Sequence, residues 1–371
     1  MYEHRFEHKN HTRLIEVDAA KTFAIIYMVV VHVYERMSVV DSDATLPDSV
    51  LRNIIEFAGG PLAAPVFMFS MGIGMMYTRH NSPEDFMKRG FRLLIAGYIL
   101  NFVRFTGPLL ALRAMGMDTD FGYSVLDTFC LVDIFQLAGL SFLLMGLLKK
   151  AQVKPFWIVC LALLMQATGT WLGLHMDQEN PMNMFFGLFV YVGNASGFAL
   201  MLWFVYPATG MLFAEIMKNV QDRDCFYKRA LVLSAAVIIS MVSILPLIDY
   251  DIRNTYANAG GIYYQQNMYS FLFTLSVVLI ALALSYFVFH GLEHTIIGRF
   301  IKYCSANLTT IYVFQWLLII YGFLFMMIIG SELISLEAVI PVGLIITAAS
   351  IGLSALWNRA RKSSENFCSK V

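Results

Sequence analysis

Ten stretches of about 20 mostly apolar residues follow one another along the 371-residue chain, each long enough to cross the hydrocarbon core of a bilayer. They lie near 17–37, 57–77, 87–105, 127–147, 156–175, 188–214, 227–248, 269–290, 306–329 and 338–357. In lipid every backbone N–H and C=O must be satisfied within the structure, and a lone segment of this length does so only as a helix. The expected fold is therefore all-α, a polytopic membrane helix bundle of about ten transmembrane helices forming one domain over residues 1–371. Composition excludes the soluble alternative. Only 14% of residues are charged and 58% are hydrophobic, with a mean hydropathy of +0.65, whereas a soluble domain carries roughly 25% charged residues.

The connecting segments give the bundle two unlike sides. With the N-terminus inside, twenty lysines and arginines fall on the inner side. Five, Arg36, Arg52, Arg104, Arg113 and Arg253, fall on the outer side, and Lys21 lies within the first span. By the positive-inside rule both termini are cytoplasmic. The first twelve residues are polar, with no short apolar core before a small-residue cleavage site, so the first span is expected to stay as a signal anchor. A bacterial cytoplasmic membrane is the expected location. Zero net charge points to no nucleic-acid partner. The five cysteines are not closely paired and read as free thiols, with no metal site.

Several features qualify the plain bundle. Gly59, Gly60, Pro61 and Pro65 predict a bend in the second span. The sixth is overlong, so its start reads as tilted or re-entrant, with Asn194 and Ser196 as polar sites inside it. The connections near 106–126 and 249–268 face outward, either as simple loops or as a lid or substrate platform. Small residues such as Ser70 with Gly74 offer a face for a homodimer.

Charged groups in a span cost about 2.5–3.5 kcal/mol each, so those present call for a reason. The first span carries Asp18, Lys21, His32 and, at its outer end, Glu35. Asp18 and Lys21 are three residues apart and can pair. Lys21 and His32 are eleven apart, which places them within ~20° on one helix face and ~16 Å apart along the axis. An imidazole inside a span can act as base, nucleophile or proton relay, or simply hydrogen-bond a neighbouring helix. Glu35 is one turn further on, where it can orient the ring. Arg79, Lys88, Arg89 and Arg92 cluster at the inner end of the third span, suited to phosphates and equally demanded by the positive-inside rule. At its other end lie Asn101 and Arg104, the latter able to bind substrate or to pair with Asp133 or Glu56. Asp133 and Gln136 form a polar step in the fourth span, as a helix–helix ion pair or as catalytic groups. In the ninth, Ser305, Thr309, Tyr312 and Trp316 share a face beside Gln315, a pattern common where polar groups join helices.

Taken together these residues resemble the transmembrane acyltransferase superfamily, which includes the type-three membrane acyltransferases and the heparan-alpha-glucosaminide N-acetyltransferases. The resemblance rests on RLIEVDAAKTFAIIYMVVVH (13–32), with Arg13, Asp18 and Lys21, and then His32 after ten intervening residues. It extends to GGPLAAPVFMFSMGIGMMYTR (59–79), FMKRGFRLLIAGYILNFVRF (86–105) and IYVFQW (311–316). Lys21 stands where the family usually has Arg, and Gln315 where a His is common. The resemblance implies transfer of an acetyl group from cytoplasmic acetyl-CoA to a sugar or glycan hydroxyl or amine at the outer side. His32, Glu35, Asp18 and Lys21 would then be catalytic. Arg79, Lys88, Arg89 and Arg92 would hold the CoA phosphates. Asn101, Arg104, Asp133, Tyr312 and Gln315 would meet substrate, with Asn101, Tyr312 or Gln315 as oxyanion donor. The competing reading is a transporter or exporter of a polar solute or glycan, in which the same charges line a pathway.

Overall fold

The structure, a computed structural model, describes residues 13–40, 44–116, 124–177, 180, 182–193 and 196–368. The polar leader and Asn194 lie outside the described residues. The helices are α1 (Ile15–Met37), α2 (Val50–Gly59), α3 (Ala64–Tyr77), α4 (Pro83–Asn101), α5 (Gly107–Ala114), α6 (Val125–Cys130), α7 (Ile134–Lys150) and α8 (Pro155–His175). They continue as α9 (Asn183–Phe186), α10 (Leu200–Trp203), α11 (Val205–Met217), α12 (Arg223–Ile248), α13 (Met268–Phe289), α14 (Ile296–Ala306), α15 (Leu308–Ile328) and α16 (Leu336–Cys368). Among the described residues, nine helical segments are long and apolar enough to cross a membrane. The tenth member of the bundle, α7, has 17 residues, at the short end of what spans a bilayer. The protein is an all-α integral membrane bundle.

Local chemistry sets where the helices start and stop. Ser49, Ser82, Asp222, Asn267 and Thr295 cap the N-termini of α2, α4, α12, α13 and α14 with side-chain oxygens. Pro83 and Pro155 occupy first-turn positions, where a missing N–H costs nothing. The expected bend in the second span is a full break between α2 and α3 at residues 60–63. Two other spans differ from expectation. The sixth does not begin at 188: residues 187–193 and 196–199 are irregular, and helix starts only at Leu200. Gly193 is held at φ +99° there, and the buried Ser196 hydroxyl accepts from Val192 N (2.7 Å) and donates to Gly193 O (2.8 Å). The fourth span is also interrupted, between α6 and α7, so Asp133 is not inside a helix but caps one. Cys130, Cys160, Cys225 and Cys304 are free thiols; the Cys368 side chain lies outside the described residues.

Around α1 pack α2, α3, α13, α14, α15 and α16, and its apolar face is almost wholly buried. The tightest crossing joins α3 to α11. A Cβ at Gly72 would stand 2.0 Å from Pro207 O, and one at Gly210 would stand 2.0 Å from Phe69 O. Only glycine permits this approach, and it sets α3 close behind the site. Gly210→Ala is expected to destabilise the protein by at least about 1–3 kcal/mol, because the obstacle is backbone and not a side-chain tip. The apparent melting temperature in detergent should fall. That of Gly352→Ala, where nothing lies within 4 Å, should not.

Candidate active site

Two cavities lie along α1. The inner one, about 360 Å³, is bounded by α1, α3, α4, α7, α14 and α15. Its lining is mostly apolar (Met68, Met71, Met75, Phe135, Phe142), with Lys21 and Arg89 as its cations and Ser70, Ser305 and Thr309 as hydroxyls. The outer one, about 130 Å³, is lined by His32, Glu35, Arg36, Glu56, Arg104 and Asp133, and by aromatics from five parts of the chain. Phe67, Ile134 and Tyr312 line both, so a wall three side chains wide separates them.

Lys21 and His32 therefore share a helix face, as their spacing predicts, but face different cavities. Asp18 is 4% exposed and is the hub of the inner end of α1. Its carboxylate binds Arg13 and the Ser305 hydroxyl and lies 3.6 Å from Lys21 Nζ. Arg13 also donates to Lys302 O (2.9 Å), which fastens α1 to α14. Of the basic cluster only Arg89 lines the inner cavity, with its guanidinium 4.5 Å from the Phe142 ring. All four are exposed, and Arg79, Lys88 and Arg92 line neither cavity.

His32 is half-buried. Its ring stacks on Trp316 (centroids 4.1 Å apart), and its Nδ1 lies 3.2 Å from Gln315 Oε1. An amide oxygen only accepts, so Nδ1 is the donor in this contact, and in the neutral ring Nε2 keeps its lone pair. Gln315 is fully buried and acts through the histidine, since it lines neither cavity. Glu35 faces the outer cavity and accepts from Asn258 Nδ2 (3.4 Å), a residue of the 249–268 connection.

Beside His32 lies a buried polar network. Arg104 sits in a π-helical turn, Phe102–Thr106, and is 1% exposed. Its Nη2 meets Asp133 Oδ2 at 2.5 Å and Asn101 Oδ1 at 2.9 Å. The Tyr312 hydroxyl donates to Asp133 Oδ2 (2.7 Å). Asp133 also accepts from Ile134 N, while Gln136 Oε1 accepts from Asp133 N, a reciprocal cap at the start of α7. The break at Leu131–Asp133 is held by Asn101, whose amide donates to Phe129 O (2.9 Å) and Leu131 O (2.8 Å). With both hydrogens used and no place on either cavity wall, Asn101 positions Arg104 and the break, and has no N–H left for substrate. Of the expected substrate residues, Arg104, Asp133 and Tyr312 reach a cavity.

The 249–268 connection folds over the outer cavity as two 3₁₀ turns and supplies Tyr256, Asn258, Gly261, Tyr263 and Tyr264 to its wall. It is tied down by Arg253, which binds Asp251 (2.6 Å) and the carbonyl of Pro47. Hydrogen bonds from Arg253 hold the Asp251 carboxyl below the usual carboxylate range. Tyr191 and Phe198, from the irregular segment before α10, complete the aromatic lining. Ser70 and Gly74 line the inner cavity. Arg36 and Phe67 were not singled out by sequence, because one reads as a loop charge and the other as ordinary core.

A family model described as an acyltransferase domain matches residues 14–358. No curated protein matches the chain.

Proposed function

The chain belongs to the type-three acyltransferase family, and from that premise we propose that it carries an acetyl group from cytoplasmic acetyl-CoA to a hydroxyl or amine of a sugar at the outer face of a bacterial cytoplasmic membrane. One observation carries this reading. Two cavities lie end to end along a single helix, Lys21 and Arg89 line the inner one, His32 lines the outer one, and the wall between them is a single layer of three side chains. The inner cavity suits a long arm that alternates apolar links with amides. The buried Ser70 hydroxyl on its wall has no hydrogen-bond partner, a vacancy that an amide of the pantetheine arm would fill. Lys21 and Arg89 meet the donor where it enters, and the exposed Arg79, Lys88 and Arg92 lie nearby in sequence to take its phosphates.

The chemistry follows from the tautomer of His32. Nε2 takes the proton from the acceptor hydroxyl or amine as that group attacks the thioester carbonyl. The tetrahedral adduct collapses, the C–S bond breaks, and the imidazolium returns the proton to the CoA thiolate. Transfer by way of an acetyl-imidazole would use the same nitrogen. The Arg104 guanidinium lines the same cavity and lends it positive charge.

Acetyl-CoA should stabilise the purified protein against heat, as CoA should not if the charges line a solute pathway. Arg89→Ala is expected to raise KM for acetyl-CoA about tenfold with little change in kcat, the pattern of lost ground-state binding. Steady-state kinetics of acetyl-CoA consumption in detergent would measure both. An unchanged KM would remove Arg89 from the donor site.

A further inference from the structure

Arg36 and Arg104 crowd one aromatic ring. Their guanidinium carbons lie 5.8 Å and 4.6 Å from the centroid of Phe105, and all three residues line the outer cavity. Arg104 is 1% exposed, yet its Nε and Nη1 are buried without a partner, as is Nε of Arg36. Among the described residues the only carboxylate ion-paired with either is Asp133, which takes Nη2 of Arg104. Three guanidinium nitrogens are thus left without a partner in a membrane-embedded wall that also holds Glu35 and Glu56. Both the buried guanidinium charge and the unmet donors are costly at such a place.

A ligand oxyanion answers both. We propose that Arg36 and Arg104 form an anion-recognition wall that takes a carboxylate or phosphate group of the acceptor, so that the acceptor is an acidic sugar or a sugar phosphate. This rests on the outer cavity being the acceptor side of the reaction proposed above. The donor's own phosphates belong at the other end, beyond Lys21 and Arg89. Guanidinium is suited to the task because its planar fork matches two oxygens of one anion. The same cavity presents Glu35 and Glu56, with Asn258 donating to both (3.4 and 3.3 Å), and these carboxylates can accept from sugar hydroxyls. The cavity thus carries groups of both signs and is lined by tyrosines as well.

The test is a binding measurement on the full chain in nanodiscs without any acyl donor, using glucuronate, glucose 1-phosphate and glucose as probes. Wild type should bind at least one of the anions about tenfold more tightly than glucose. Preference for glucuronate identifies a carboxylate and preference for glucose 1-phosphate a phosphate; either supports the proposal. Arg36→Gln should remove the preference, and Arg36→Lys, which keeps charge without the fork, should retain part of it. Unfolding temperatures of the variants confirm that they are folded. Equal binding of glucose and both anions, no binding of either anion, or an undiminished preference in folded Arg36→Gln would each overturn the proposal. Acetyl-CoA hydrolysis is measured separately, so failure here is distinct from failure of the acyltransferase reading.

Discussion

His32→Ala is expected to lower acetyl transfer by about 10²- to 10⁴-fold, the range lost with a positioned general acid–base. Thermal stabilisation by acetyl-CoA should persist in the variant. The separation of these two effects follows from geometry, since His32 lines the outer cavity while Lys21 and Arg89 line the inner one. The histidine also has a modest structural role, stacked on Trp316 and bonded to Gln315. His32→Gln, which keeps a polar side chain of similar reach, should therefore fold like wild type and remain inactive. Transfer at the wild-type rate in either folded variant would remove His32 from the mechanism.

The second large effect concerns stability. Arg104→Ala should destabilise the protein by about 3–5 kcal/mol, because it leaves the largely buried Asp133 carboxylate without its cation. Tyr312 would then be the remaining side chain donating to that carboxylate, at 2.7 Å. Removing both charges at once, as in Arg104→Met with Asp133→Leu, should recover much of the loss, since an apolar pair of similar volume carries no desolvation cost. The apparent melting temperature in detergent, measured for the two single variants and the double variant, checks this. If the double variant is as unstable as the sum of the singles, the buried pair is not what joins the π turn to the start of α7.

Several elements were legible in the sequence because their signals are local. The spans follow from run length, and the break between α2 and α3 from Gly59, Gly60, Pro61 and Pro65. The Asp18–Lys21 contact and the Lys21–His32 stripe follow from helical spacing. The position of Asp133 was misread because residues 125–150 are apolar enough to pass for one helix. Yet Asp133 followed three residues later by Gln136 is the signature of a reciprocal N-cap, and the structure uses it as one. The excess length of the sixth span marks its start as irregular, but the mostly apolar run does not show that helix begins only at Leu200.

What no local pattern carries is the pairing of distant parts. Gln315 meets His32 across 283 residues, and Asn258 meets Glu35 across 223. Arg36 and Arg104 share Phe105 only because the π turn and the outer end of α1 converge on one cavity. The basic cluster divides for a related reason. Arg89 faces α7 and reaches Phe142, whereas Lys88 and Arg92 line neither cavity. Spacing alone gives a helix face but not what that face meets.

The central claim is that the acyl donor enters along the inner cavity and presents its thioester at the wall shared with the outer one. A structure of the protein bound to a non-hydrolysable acetyl-CoA analogue tests it most directly. The account predicts the pantetheine arm running past Arg89, Lys21 and Ser70, with the acyl carbon at the Phe67–Tyr312 wall facing His32. An analogue lodged in the outer cavity, or bound outside the bundle with the inner cavity empty of it, would contradict the account.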